Sequence, residues 1–280
     1  MNIHSGQTVP SRMSAGCRLI CLFLLTLPFL QAAPAWKNEL TSPAPGPFPR
    51  LSPTDLDLSV SWNGMIKAGT VRVEFAPPDV HKPGNLIIRS TAASQGAAAK
   101  LFPYQTNFWS ETDPSSLLPR LFHASETDDR EKIDTTVRYF PTRVESQEIS
   151  KNLKTGKTTR TDRSFHFAPV FDIFSAMLHV RSQKLEPGDK ITLVVRPFGT
   201  SYLLKVNVIG RERHQGRDAI RLSVGMRKID RKTLELLPYK KLKRDATFWL
   251  SDDAERIPLE MRAAVFIGDI RATLTSHRKL

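Results

Sequence analysis

The sequence predicts a mainly β protein: a single antiparallel sheet, curved or closed into a barrel-like domain, with one or two short helices. Three observations predict it. Apolar and polar residues alternate with a period of two in short runs, as along a half-buried strand. Turn-forming residues punctuate these runs about every ten residues. The runs follow one another without the regular intervening helices that a parallel α/β sheet requires.

Leu56, Leu58, Val60 and Trp62 alternate with Asp57, Ser59 and Ser61, so the first strand has one apolar face. Asn63-Gly64, a pair that tolerates the positive φ of a tight hairpin, follows at once. The return strand spans 65–75, with Val71, Val73 and Phe75 on one face; Ala68-Gly69 shifts its phase and predicts a bulge or a close backbone approach. Pro77-Pro78 ends it, and another strand is expected at 85–90. From 97 to 109 the signals conflict, because the alanines favour a helix and Pro103 interrupts it.

Strands are expected near 119–126, 132–140, 142–150 and 158–167, the last two joined by a turn at Lys154-Thr155-Gly156-Lys157. Pro169 introduces a helix over 170–181 in which Phe171, Phe174, Met177 and Leu178 share one face. Strands return at 190–197, 201–210, 217–227, 243–251, 258–267 and 270–276. Pro187-Gly188-Asp189, Phe198-Gly199-Thr200 and Gly268-Asp269 supply turns.

The 280 residues are 40% hydrophobic and 25% charged, which excludes a wholly disordered chain, a collagen and a multi-span membrane protein. Residues 1–35 contain no acid. Arg12 and Arg18 precede the apolar run 19–30, which is too short for a relaxed spanning helix of about 20 residues. Pro28 breaks the run, and Ala33-Pro34-Ala35 places small residues where signal peptidase cuts. The segment is expected to be a secretory signal cleaved near Ala35, with an uncleaved anchor as the alternative; a start at Met13 would leave a tighter signal.

Both cysteines, Cys17 and Cys21, fall inside this segment, and Cys17 precedes the apolar run, so no lipid anchor is expected. The exported chain would then be held by its core alone. Residues 36–53 carry five prolines, each fixing φ and lacking a backbone donor, and are expected to form an extended linker before a domain at 54–280. The expected location is the periplasm of a Gram-negative-type envelope.

No G-x-S-x-G, P-loop or G-x-G-x-x-G occurs, and no histidine has an H-E-x-x-H partner. No catalytic residue, metal ligand or cofactor is expected. Asp172 and His179 lie about two helical turns apart, but no nucleophile or orienting third group accompanies them. Asp172 suits the N-terminus of the helix, where its charge meets the dipole. Ser251-Asp252-Asp253 with Glu255 and Arg256 offers paired carboxylates; the plainer reading is a turn whose aspartates bond their own backbone, one of them pairing with Arg256.

Several stretches recur in order: Trp62-Asn63-Gly64 then Ala68-Gly69; Phe171-Asp172-Ile173-Phe174-Ser175-Ala176 leading to Arg181 and Gly188-Asp189; Val208-Ile209-Gly210-Arg211-Glu212; and Phe248-Trp249-Leu250-Ser251-Asp252-Asp253 with Arg256-Ile257-Pro258 and Gly268 behind it. Their order and spacing over 54–278 resemble a bacterial family of exported proteins, the domain-of-unknown-function family 3108. One departure is Pro169-Val170-Phe171 before Asp172, where the family commonly has a proline followed by an aspartate. The resemblance implies a mostly β, barrel-like fold outside the cytoplasm and no established activity. Likeness to curved-sheet lipid and lipoprotein carriers is analogy at the level of fold.

Two functional expectations follow. Trp62, Phe171, Phe174 and Met177 are candidates to line a cavity for a lipid or lipoprotein ligand, since a curved sheet with one helix leaves a concave mouth. The net charge of +13 is unevenly spread. Residues 227–245 hold eight basic and three acidic side chains, and residues 151–163 hold five basic ones and Asp162. Both are expected hairpin tips. Arg231, Lys232, Lys240, Lys241, Lys243 and Arg244 are candidates to meet an anionic envelope polymer or lipid head groups. Nucleic acid is not expected, as no stacking aromatics are interleaved. A non-enzymatic envelope protein that binds an apolar or amphipathic ligand is the first expectation. A module docking on acidic envelope surfaces through the basic tips is the second.

Overall fold

The structure is a computed structural model that describes residues 34–48, 51–76, 84–239, 242–265 and 268–280. Residues 1–33 of the expected leader with both cysteines, Pro77-Pro78, Lys240 and Lys241 lie outside the described residues.

The alternating runs become strands in chain order. The first half holds β1 (Thr54–Trp62), β2 (Ile66–Ala76), β3 (Leu86–Ser94), the short helix α1 (Gly96–Leu101), β4 (Tyr104–Thr112), β5 (Pro119–Asp128), β6 (Glu131–Tyr139), β7 (Val144–Asn152) and β8 (Thr158–Phe165). The helix α2 (Ile173–Ser182) follows. The second half holds β9 (Lys190–Val195), β10 (Tyr202–His214), β11 (Arg217–Ile229), β12 (Leu236–Pro238), β13 (Ala246–Ser251), β14 (Pro258–Val265) and β15 (Gly268–Lys279).

The fold is mainly β, as the alternation predicts, with two helices and one large antiparallel sheet. The strands run in the order β8-β7-β6-β5-β4-β3-β2-β1-β15-β14-β13-β11-β10-β9, and β12 pairs β11. Consecutive hairpins account for this order except where β13 pairs β11 past β12 and where β1 closes onto β15, near the other end of the chain.

Local signals mostly hold. Asn63 and Gly64 take positive φ of 52° and 72° at the first hairpin. Val60 pairs with Gly69 and Ser61 with Lys67, which leaves Ala68 as the extra residue of a bulge. Gly69 also lies where a Cβ would press on the Ala93 carbonyl of the next strand. The conflict at 97–109 resolves into α1 and β4, separated by Pro103.

Two expectations need correction. The helix begins at Ile173, not Val170, because Phe171 is engaged with β9: its N–H donates to Val194 O at 2.9 Å and its O accepts from Arg196 N at 2.7 Å. Phe171 therefore does not share the helix face of Phe174.

Of residues 36–53, expected as an extended linker, the described ones pack on the domain. Ala35–Glu39 is a 3-10 turn that buries Trp36, whose indole N–H donates to Leu234 O at 2.9 Å and whose ring packs on Phe167. Thr41 pairs with Thr192 through both its backbone N–H and its hydroxyl, and Phe48 N donates to Ser182 O. Proline removes donors, but the residues between the prolines keep theirs, and those are what bind. Thr41 and Phe171 together cover the outer edge of β9, which no neighbouring strand covers.

The core falls into two apolar clusters. One joins Leu56, Phe75, Ile88, Phe122, Val137 and Phe165 from the first half of the sheet, and Val194, Leu203, Ile229, Trp249 and Leu259 from the second, to Phe174 and Leu178 of α2. The other joins Leu193, Val206, Ile220, Leu222 and Leu250 from the second half to Phe171, Ala176 and Val180. Helix α2 thus contributes side chains to both clusters and is buried on opposite sides.

The sheet is not closed by a ladder: β8 and β9 are the two ends of the path. Side chains join them instead. Val194 of β9 belongs to the first cluster, while Ile191, Leu193 and Val195 belong to the second, so β9 is buried on both faces. Arg196, 1% exposed, donates to Ser146 Oγ of β7 at 2.8 Å and Ser201 Oγ at 3.0 Å, and its carbonyl accepts from the Tyr139 hydroxyl of β6. The β6–β8 end of the sheet therefore packs across β9.

Candidate functional site

Helix α2 is buried against both core clusters, and the site is built around how that helix is held. At its N-terminus Asp172 takes an extended backbone, and its Oδ1 accepts from the N–H groups of Phe174 and Ser175, each at 2.8 Å. The Ser175 hydroxyl accepts from Asp172 N at 2.9 Å, completing a reciprocal cap of two otherwise unpaired donors. The remaining Asp172 oxygen accepts from the Ser110 hydroxyl of β4 at 2.6 Å. Asp172 is fully buried, and this burial pushes its carboxyl pKa up although all these bonds oppose the rise. Tyr139 is pushed well above the ordinary phenol value, by burial first and by the nearby Asp172 charge second.

At the C-terminus two buried arginines act on carbonyls. Arg181 donates to Glu255 O at 2.8 and 3.0 Å. Arg256 reaches back to the carbonyls of Arg181, Gln183 and Lys184, and its guanidinium lies 3.8 Å from the Phe48 ring centroid. A cation at carbonyls left over by a helix end is favourable for both charge and hydrogen bonding. Asp253 Oδ1 accepts from the N–H groups of Glu255 and Arg256, each at 2.9 Å, as expected for a turn. The expected pairing of Arg256 with a turn aspartate is not made, because its side chain points to the helix end. Asp252 pairs with Arg211 at 3.0 Å instead.

His179 is fully buried on α2 with its ring centroid 5.1 Å from that of Phe171, and burial lowers its pKa to about 4. Its Nε2 lies 3.3 Å from Gln183 Nε2, and its Nδ1 has no partner among the described residues. Asp172 bonds Ser110 and Ser175 rather than this imidazole. The arrangement offers no relay from acid to base; chemically it positions a helix.

Each expected ligand-lining residue can now be placed. Phe174 packs among Phe108 and Phe122 at 6.1 and 6.4 Å between centroids, and Phe171 sits in the second cluster. Met177 is partly buried against the first cluster. Trp62 is half-buried at the end of β1, its indole nitrogen against Gly268. Phe171 and Phe174 are thus buried in the two core clusters, and Met177 of α2 packs partly buried against the first.

Three clefts on the structure, of about 310, 510 and 580 Å³, are lined by other residues. The second of these includes Trp249, stacked on His214 at 4.2 Å, together with Arg221, Arg262 and Arg271.

The basic candidates separate. Arg231 and Lys232 lie exposed in the turn after β11, whereas Lys243 and Arg244 lie exposed beside β14 and β15. Lys240 and Lys241 lie outside the described residues. The 151–163 stretch is the expected hairpin tip, with Gly156 at φ 72°. The 227–245 stretch is not a simple tip, since β12 turns back onto β11 within it. Sequence reading missed Arg181, Arg196 and Ser110 as holding groups. Arg181 and Arg196 look in sequence like surface charges, and only their burial distinguishes them.

The model of a family described as "Protein of unknown function (DUF3108)" matches residues 57–275. No curated protein matches. Among solved structures the chain is similar to a crystal structure of a β-barrel-like protein of domain of unknown function DUF1849 from Brucella abortus. The TM-score is 0.55 at 9% identity, covering 82% of this chain and 99% of that one. That likeness concerns the fold.

Proposed function

Since the chain belongs to the DUF3108 family, whose function is unknown, we propose that it is a non-enzymatic cell-envelope protein, exported by its N-terminal segment, that binds an apolar or amphipathic ligand within its curved sheet. One observation carries this reading: α2 lies between two apolar clusters and is held at its ends by polar ties to Ser110 and Arg256. A helix wedged between two apolar clusters is a separable filling. A lipid chain or lipidated segment takes the apolar surface that α2 covers when the ties are released. Native mass spectrometry of protein recovered from the envelope of its own cells tests this: a retained lipid-sized mass is expected, and a clean unliganded mass overturns it.

A second reading is docking on an anionic envelope polymer through basic side chains. It is favoured by the exposure of Lys151, Lys154 and Lys157 around a turn without acid, and of Lys243 and Arg244. It requires binding to anionic wall material that weakens with salt and with replacement of Lys243 and Arg244 by Gln.

A further inference from the structure

Large apolar side chains are left in water mainly at one end of the first half of the sheet. Met65 is 83% exposed and Ile66 49% at the β1–β2 turn; Leu101 is 67% and Phe102 54% at the end of α1. Ile149, Ile209, Leu237 and Leu280 stand exposed elsewhere, which is ordinary.

The first four are brought together by the topology. Gln95 N donates to Ala68 O at 2.8 Å and Gln95 Nε2 to Thr70 Oγ1 at 3.2 Å, laying the start of α1 beside the start of β2. Ser94 Oγ then accepts from Tyr104 N, so the loop carrying Leu101 and Phe102 is pinned at both ends. This is an ordered projection whose apolar side chains have no core to enter.

Cations flank it on three sides. Lys67 and Lys100 belong to the same two segments and are exposed. On the β15 side, Asp269 exchanges hydrogen bonds with Asn63 of the β1–β2 turn and lies 3.8 Å from Arg244, while Lys243 N donates to Ala264 O. On the other side, β4 pairs β5 at Tyr104 and Asp128, and β6 pairs β7 at Glu131 and Asn152. Leu153 N donates to Arg130 O, which places the Lys154–Lys157 turn at this same end. The opposing charges in that part are engaged or set back: Glu126 accepts from the Tyr104 hydroxyl at 2.5 Å, Asp128 accepts from the Arg130 and Glu131 N–H groups, and Asp129 lies in the β5–β6 turn.

We infer that this end of the sheet, with Met65, Ile66, Leu101 and Phe102 at its centre and Lys67, Lys100, Lys243 and Arg244 around them, docks on an anionic lipid bilayer, the apolar side chains entering the acyl boundary. Charge complementarity selects this occupant: apolar side chains ringed by cations match a surface whose interior is apolar and whose head groups are negative. A second copy of the chain would set these cations against one another. The inference stands on the rim alone and needs no ligand in the interior.

The test is cosedimentation of the full chain, expressed from Met1 and purified as exported, with vesicles of phosphatidylglycerol and phosphatidylcholine or of phosphatidylcholine alone. Binding to the mixed vesicles is expected, with little to the neutral ones. Met65→Ser with Phe102→Ser is expected to weaken binding about tenfold or more, since two large apolar side chains no longer leave water. Lys67→Gln with Lys100→Gln is expected to weaken it about fivefold per charge. All four positions are exposed, and unchanged near-UV circular dichroism checks the fold of each variant.

If the serine variant binds as the parent does while the glutamine variant is weakened, insertion is overturned and purely electrostatic docking stands. Equal binding to neutral vesicles overturns the role of charge, and no binding to either overturns the inference. A parent dimer that the serine variant abolishes overturns it in favour of self-association.

Discussion

The Ser110 hydroxyl donates to the Asp172 carboxylate at 2.6 Å, tying the middle of β4 to the first turn of α2 across 62 residues of sequence. The same carboxylate caps the helix, so one buried group serves two elements. Ser110→Ala should cost about 1–2 kcal/mol of unfolding free energy and Asp172→Ala about 2–4, measured by urea denaturation. Asp172→Asn keeps a capping side chain but cannot ionise. Burial raises the folded-state pKa above the unfolded value, so the ionised carboxylate is a cost that appears as pH rises through the folded pKa and is relieved as pH falls below it. The stability difference between parent and Asp172→Asn should therefore move in favour of the variant from pH 4 to pH 7.

Arg196 joins the two unpaired ends of the sheet through Ser146. Arg196→Ala should destabilise by about 3 kcal/mol, through lost packing on Phe165 and an unpaired Ser146. A double-mutant cycle with Ser146→Ala should give a coupling of about 1 kcal/mol. A coupling of zero would mean that the two ends do not meet in solution.

Trp36 distinguishes a strap from a spacer. With its side chain buried against Phe167 and its N–H bonded to Leu234 O, Trp36→Ala should cost about 3–5 kcal/mol with an unchanged urea m-value. A spacer residue would change stability by less than about 0.5 kcal/mol.

His179 makes the fold sensitive to acid. Its folded pKa of about 4 lies below the ordinary imidazole value of 6.5 because the ring is buried. The unfolded chain therefore binds the proton first, so stability is fully present above the unfolded value and is lost as pH falls toward the folded one. The loss over that window should approach roughly 3 kcal/mol. Urea midpoints between pH 7 and 4 measure it, and an imidazole titrating near 6.5 in the NMR spectrum of the folded protein would contradict it.

Much of the local structure was legible in the sequence. Period-two alternation marks β1 and β2, Asn63-Gly64 marks their turn, and the spacing of Phe174, Met177 and Leu178 marks α2, although its expected start at Val170 is three residues early, because strand, turn and helix periodicity act over a few residues. The strand at Tyr104–Thr112 was obscured by the neighbouring alanines and Pro103, which send opposite local signals. The cavity candidates were correctly read as large apolar side chains, but apolar character alone does not say whether a side chain lines a space or fills it.

By itself, then, the sequence determined the β class, most hairpins, the helix and the uneven spread of positive charge. The tertiary structure alone decided that the proline-rich segment straps β9, that Arg181, Arg196 and Arg256 are interior holding groups, and that Met65 and Phe102 share one rim with Lys67 and Arg244. The physical reason is that burial and charge environment depend on which strands meet. Here the decisive meetings, Trp36 with Leu234, Ser146 with Arg196 and Asn63 with Asp269, join residues far apart in the chain.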